Sequence, residues 1–214
     1  MTAHSQLITP TARRALTAAA FLLAGALVVW LSPAEQTLGA AVKVVYVHVA
    51  LSRAGAIGLL IAGLLGLATL ITGRAGLWHW TAVIGGVALG IYAAGFAVSI
   101  IAQAVSWGGI AWREPRVAAA LNGLAIGAIV VVLAGWAGQR RIGGLLYALL
   151  GSYITWSQIT AADILHPGDA ISTSTSAAIR FTGLALLVLA LLAGAWIARE
   201  VGARPPETQP RLDD

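Results

Sequence analysis

SWGGIAWREPRV, residues 106–117, decides how many times this chain crosses a bilayer. It closes a charge-free run, Ala75 to Trp112, that is too long for one crossing, and another such run begins at Val117. Within it stand three charges (Arg113, Glu114, Arg116), two tryptophans (Trp107, Trp112) and a glycine pair. A helix rises about 1.5 Å per residue and needs about 20 apolar residues to cross the hydrocarbon. The long run therefore divides into a span at about 80–103 and a loop at 104–116.

The other charge-free runs fit one crossing each: Ala15–Ala34, Ala54–Gly73, Val117–Gln139, Ile142–Ala162 and Phe181–Ala198. Hydrophobic residues make up 59% of the 214 and charged residues 10%, against about 25% charged in a soluble domain. The expectation is an all-α, polytopic membrane protein: one six-helix transmembrane domain over 1–198. Its spans lie at about 15–34, 44–73, 80–103, 117–138, 142–160 and 178–198. A polar, proline-rich tail at 199–214 is expected to be disordered.

Lys/Arg bias orients the bundle. With both termini in the cytoplasm, the inside receives Arg13, Arg14, Arg74, Arg140, Arg141, Arg199, Arg204 and Arg211. The outside receives Lys43, Arg53, Arg113, Arg116 and Arg180. All eight tryptophans fall near expected span ends, as an interfacial belt requires. The net charge of +5 thus reads as a topology signal, and no nucleic-acid partner is expected. The first span also has the basic flank and small residues of a signal peptide, but its apolar run is long for one, so a retained span is expected. The three longer loops, at about 31–43, 104–116 and 159–176, share the outer side, which marks that side as the working one.

There is no cysteine, so thiol chemistry would belong to a partner. Two of four histidines fall on the outer side: His48 in VVYVHVALS and His166 in ADILHPGDA. Neutral imidazole is a common transition-metal ligand, and two facing histidines suit haem iron. A lone histidine at a helix end is more often an interfacial, hydrogen-bonded group than a metal ligand. Asp163 and Asp169 flank His166 and either orient its ring or keep the loop soluble. Arg53 and Arg180 sit at the outer membrane boundary, where a cation either meets an anionic ligand or snorkels to headgroups. His48 and Arg53 lie five residues apart, about 140° around a helix, and so do not share a face. Asn122 is read as a hydrogen-bonding cross-link between spans. No nucleotide loop, zinc signature or catalytic triad is present, so an ATP-driven activity would need a separate ATPase.

Taken in order, YVHV at the start of span two, the tryptophan-bearing loop and the LH before span six resemble the cytochrome c assembly family of haem-handling membrane proteins, the CcmC/CcsA type. Members carry an outer segment of the form W-G-T-W-W-x-W-D-x-R between two haem-ligating histidines. The resemblance covers most of the chain. It implies His48 and His166 as axial ligands of a non-covalent haem b. It sets Trp107 and Gly108 on the family's opening W-G, Glu114 on its Asp and Arg116 on its Arg. Ile110, Ala111 and Arg113 stand where the family has tryptophan, Trp112 is displaced by one, and Ala50 stands where a proline often follows the histidine. On this reading Trp107 and Trp112 pack on the porphyrin, while Arg53, Arg116 and Arg180 are candidates for its propionates.

The function implied is haem handling or delivery at the outer face of the inner (cytoplasmic) membrane for c-type cytochrome maturation, without catalysis. Expected partners are the lipid bilayer, haem, and a haem chaperone or an ABC-type ATPase/permease. Two other classes stay open: a permease subunit for another substrate, and a cytochrome b-like anchor exchanging electrons with quinone.

Overall fold

The computed structural model describes residues 9–162, 165 and 170–203. Six helices follow one another: α1 (Pro10–Leu31), α2 (Val42–Thr72), α3 (Ala75–Trp107), α4 (Pro115–Trp136), α5 (Arg140–Thr160) and α6 (Ala177–Gly202). Among the described residues the only β feature is an isolated Glu35–Gly39 bridge. Every helix except α5 is long and apolar enough to cross a membrane, so the chain is an all-helical, multi-pass membrane protein. Tyr147, Tyr153, Ser157 and Gln158 dilute the apolar character of α5. Its Tyr147, Leu150, Gly151, Ile154 and Ser157 are nevertheless buried, because α5 packs along α2 and α4.

Helix ends follow local chemistry. Thr9 caps α1, its hydroxyl accepting the Ala12 N–H at 3.2 Å, and Pro10 opens the helix where a missing N–H costs nothing. Gly73 (φ +67°) and Gly108 (φ +72°) end α2 and α3 in the left-handed conformation that a Cβ disfavours. Helix α3 thus runs four residues beyond the expected span end at 103 and carries Trp107, which the sequence reading had placed in the loop. Bilayer thickness limits an apolar run but does not stop a helix. The neighbouring α2 is nearly as long, so α3 stays supported until Gly108. The loop shrinks to 108–114, and Pro115 restarts the chain as α4. Helix α6 likewise continues to Gly202, where the Gly202 carbonyl lies 2.9 Å from His79 Nε2 and Glu200 pairs with Arg14 at 2.6 Å. Residues 204–214 of the expected tail lie outside the described residues.

The α2–α5 seam is built on glycines. A Cβ on Gly151 would come within 2.9 Å of Gly63 Cα, and one on Gly144 within 2.6 Å of the Gly66 carbonyl. This close approach buries Leu59, Ala62, Tyr147, Leu150 and Ile154 with Tyr92 and Val130 in one core. A second cluster, Val42, Tyr46, Ala50 and Leu186, ties α6 to the start of α2. Helix α1 has no buried residue and meets α6 through a Phe21–Trp196 ring contact at 5.9 Å. The connections at 32–41 and 108–114, with the described residues between α5 and α6, lie at the end of the bundle where α2 starts, and the turns at 73–74 and 137–139 join helices at the other end.

Candidate functional site

A cavity of about 700 Å³ opens at this end of the bundle, between the first connection, the described residues before α6, and the ends of α2 and α3. Its wall takes Glu35 and Leu38 from the first connection, Tyr46, His48 and Arg53 from α2, Gln103, Ser106 and Trp107 from α3, and Leu165, Ala170 and Ile171 from the third. A deeper space of about 130 Å³ reaches between the helices to Ser52, Tyr92, Ser99, Arg116 and Gln158. His48, Val49, Arg53 and Gln103 line both spaces, so the two meet across these side chains.

His48 is held by its neighbours. Its Nδ1 lies 3.0 Å from the Gly95 carbonyl of α3 and 3.3 Å from Ser52 Oγ one turn along α2. A carbonyl oxygen only accepts, so Nδ1 is the donor in the bond to Gly95. A backbone carbonyl behind the ring is the usual way to fix the tautomer of a ligating histidine. The approach depends on Gly95, whose Cβ, if present, would lie 2.6 Å from Ser52 N. Position 95 therefore sets both the α2–α3 spacing and the orientation of His48.

Arg53 lines the same two cavities as His48, contrary to the expectation from their angular separation. The separation on α2 is real, but α3 and the connections wrap the cavity around more than one face. Trp107 borders the large cavity, and Arg116, on the first turn of α4, borders the deep one. Glu114 is 3% exposed, and both its carboxylate oxygens accept the Leu165 N–H at 3.3 Å. It links the second connection to Leu165 and lines neither cavity.

Other expected site residues fall elsewhere. Gly108 caps α3 with open space around it. Trp112 is 56% exposed and lines neither cavity. Arg180 is exposed on α6 and donates through Nη1 to the Ser174 carbonyl at 2.7 Å, bracing the cavity wall from behind. Asn122 faces outward from α4 and does not link described helices. His166, Asp163 and Asp169 lie outside the described residues; Leu165 and Ala170, which bracket His166, both line the large cavity. Among the described residues no three His, Cys, Asp or Glu side chains gather to hold a metal ion.

Several wall residues escaped the sequence reading. Gln103 is 2% exposed; its Oε1 accepts the Ala111 N–H at 3.0 Å, while Nε2 has no hydrogen-bond partner. The Ser106 hydroxyl is also buried and unsatisfied. Gln158 donates to the Tyr92 hydroxyl at 3.0 Å. The available signal was Gln103 itself, the one amide in the run from Ala75 to Trp112, because a polar side chain in such a span asks for a reason. At the rim, Glu35 accepts the Thr37 and Leu38 N–H groups at 2.8 and 2.9 Å. These bonds, Leu38 first, hold its carboxyl below the ordinary value of 4.5.

No protein-family model, curated protein or solved structure matches this chain.

Proposed function

We propose that this chain is a six-span inner-membrane protein that binds haem at its outer face and hands it on for c-type cytochrome maturation. The observation that carries the reading is His48, held by its Nδ1 contact with the Gly95 carbonyl at 3.0 Å, in the wall of a cavity of about 700 Å³. That volume suits a cofactor-sized ligand, since such pockets run to about 300–1,000 Å³.

The residues present fit haem in kind. Haem would supply an iron that takes an imidazole nitrogen, a broad apolar plane and two carboxylates. His48 offers the nitrogen, Val45, Val49, Trp107 and Ile171 the apolar wall, and Arg53 the cation. Arg116 stands in the deeper space with the Gln103 amide, whose buried Nε2 is a donor in want of an acceptor. His166 is the proposed second ligand; Leu165 and Ala170, which bracket it in sequence, line the wall. Trp112 and Arg180 have no part in this reading of the cavity.

In this reading α5 also crosses the bilayer and brings the spans to six, both termini are cytoplasmic, and the cavity opens away from the cytoplasm, as the Lys/Arg bias implies. The protein handles haem and catalyses no covalent step; the receiving apocytochrome brings the cysteines. A haem chaperone or an ABC-type ATPase/permease would be its partner.

The test is the visible spectrum and pyridine haemochrome of the detergent-purified chain, beside His48→Ala and His166→Ala. A Soret band that shifts or weakens in both variants is expected. Absence of haem after reconstitution, or a band indifferent to His48→Ala, would overturn the proposal and favour a permease for another substrate.

A further inference from the structure

A separate groove lies along the side of the bundle, between α2, α3 and α6. The geometry points to this groove as a binding site for one acyl chain of an anionic phospholipid, with Arg199 holding the phosphate at its mouth. It is independent of the haem reading.

The groove encloses about 350 Å³, and Arg199 is the one charged residue in its wall. Gly58 of α2, Ile84 and Ile91 of α3, and Ala190 and Ala195 of α6 line its length. Its origin is the way α6 docks. Only Thr182, Leu186 and Ala198 of α6 are buried, and between Leu186 and Ala198 the helix leaves a groove beside α2 and α3 in which Gly194 comes close to Ile91. From Ala190 to Arg199 the groove runs about 13 Å by helical rise, enough for much of one acyl chain. Its apolar lining offers no hydrogen-bonding group along that length to a ligand with a buried polar ring, such as a quinone.

The mouth selects the head. Arg199 and Trp80 lie together there, the pairing of cation and indole that marks a headgroup level. Glu200, the acid beside Arg199, is bonded to Arg14 at 2.6 Å. A phosphate at Arg199 therefore finds a planar donor fork, and a choline or ethanolamine cation finds the adjacent carboxylate already engaged.

The test uses the full chain in nanodiscs of equimolar phosphatidylglycerol and phosphatidylcholine, followed by native mass spectrometry. One retained phosphatidylglycerol per chain is expected. Arg199→Gln should lower its preference over phosphatidylcholine about fivefold, the worth of one interfacial cation. Ala195→Phe should displace the lipid, because Ala195 is exposed at the groove edge and the ring fills the space without entering the helix contacts. Phosphatidylglycerol brominated in its acyl chain should quench Trp80, read as the difference from Trp80→Phe, and Ala195→Phe should relieve that quenching. Equal retention of both lipids, a retained neutral isoprenoid, or quenching unchanged by Ala195→Phe would overturn the proposal. If Ala195→Phe fails to fold, Arg199→Gln decides it alone.

Discussion

The Nδ1 of His48 and the carbonyl oxygen of Gly95 lie 3.0 Å apart, across the contact between α2 and α3. That one relationship couples the packing of the two longest helices to the state of the imidazole. A Cβ at position 95 would lie 2.6, 2.7 and 3.0 Å from Ser52 N, Oγ and Cα, so backbone as well as side chain must move. Gly95→Ala should therefore cost about 1–3 kcal/mol, as overpacking does, and lower the thermal unfolding midpoint in detergent. It should also displace the Soret maximum while leaving both histidines in place. A variant as stable as wild type, with an unmoved spectrum, would show that the carbonyl does not orient the ring.

The glycine seam predicts opposite signs for the same substitution. At Gly144 a methyl would meet the Gly66 carbonyl at 2.6 Å and the Leu70 N at 2.9 Å, both backbone atoms that cannot rotate away. Gly90, inside α3, has nothing within 4 Å of the same position. Gly144→Ala should destabilise by about 1–3 kcal/mol, whereas Gly90→Ala should be neutral or stabilise by up to about 1 kcal/mol through its helix preference. Paired thermal denaturations check this, and equal shifts would mean that α2 and α5 do not approach as described.

Much of this architecture is legible in the sequence, for identifiable reasons. Charge-free runs mark the six helices, and Gly73, Gly108, Pro10 and Pro115 punctuate them through backbone constraints that need no tertiary context. The end of α3 was missed because hydrocarbon thickness says where a span must be apolar and leaves open where a helix stops. The deeper wall was missed for a different reason. Gln103, Tyr92 and Gln158 come from positions far apart in the chain, and their polarity gains meaning only when α3 and α5 bring them to one space. Arg180 and Trp112 are exposed and line neither space, a placement that residue type alone does not reveal.

Glu114 should act on residues it does not adjoin in sequence. Its buried carboxylate accepts the Leu165 N–H, and removing a buried acceptor costs about 1–3 kcal/mol. Glu114→Ala should raise amide exchange at Leu165 and loosen the third connection, while Glu114→Gln, which keeps an acceptor oxygen, should do less. Unchanged exchange at Leu165 in the alanine variant would remove this link.

The turn at Glu35 should be sensitive to acid. Its folded carboxyl lies below 4.5 because the Leu38 and Thr37 amides favour the charged form. Its contribution is thus complete above the ordinary value and is lost as pH falls through the lower folded one. Amide exchange at Thr37 and Leu38, corrected for intrinsic rates, should show protection falling below pH 4.5. Glu35→Gln should abolish that dependence, and persistence of the pH profile in this variant would assign it to another group.

Gln103 offers the sharpest probe of what the cavity holds. Its Oε1 already serves the Ala111 N–H, its Nε2 is a buried donor with no hydrogen-bond partner, and the residue lines a space shared with Arg53 and Arg116. Gln103→Glu keeps the acceptor for Ala111 and turns the donor into a second anionic oxygen. If haem carboxylates approach these arginines, the new charge competes for them and repels the ligand. Like-charge juxtaposition costs several kcal/mol, so haem affinity should fall by about tenfold or more. Gln103→Met, which removes the amide without adding charge, should lower it far less. The comparison is a haem titration of both variants, with thermal unfolding of the haem-free protein to separate folding from binding. Equal affinities in the two would mean that no anionic group of the ligand reaches the deep space, and that Arg53 and Arg116 serve the bundle alone.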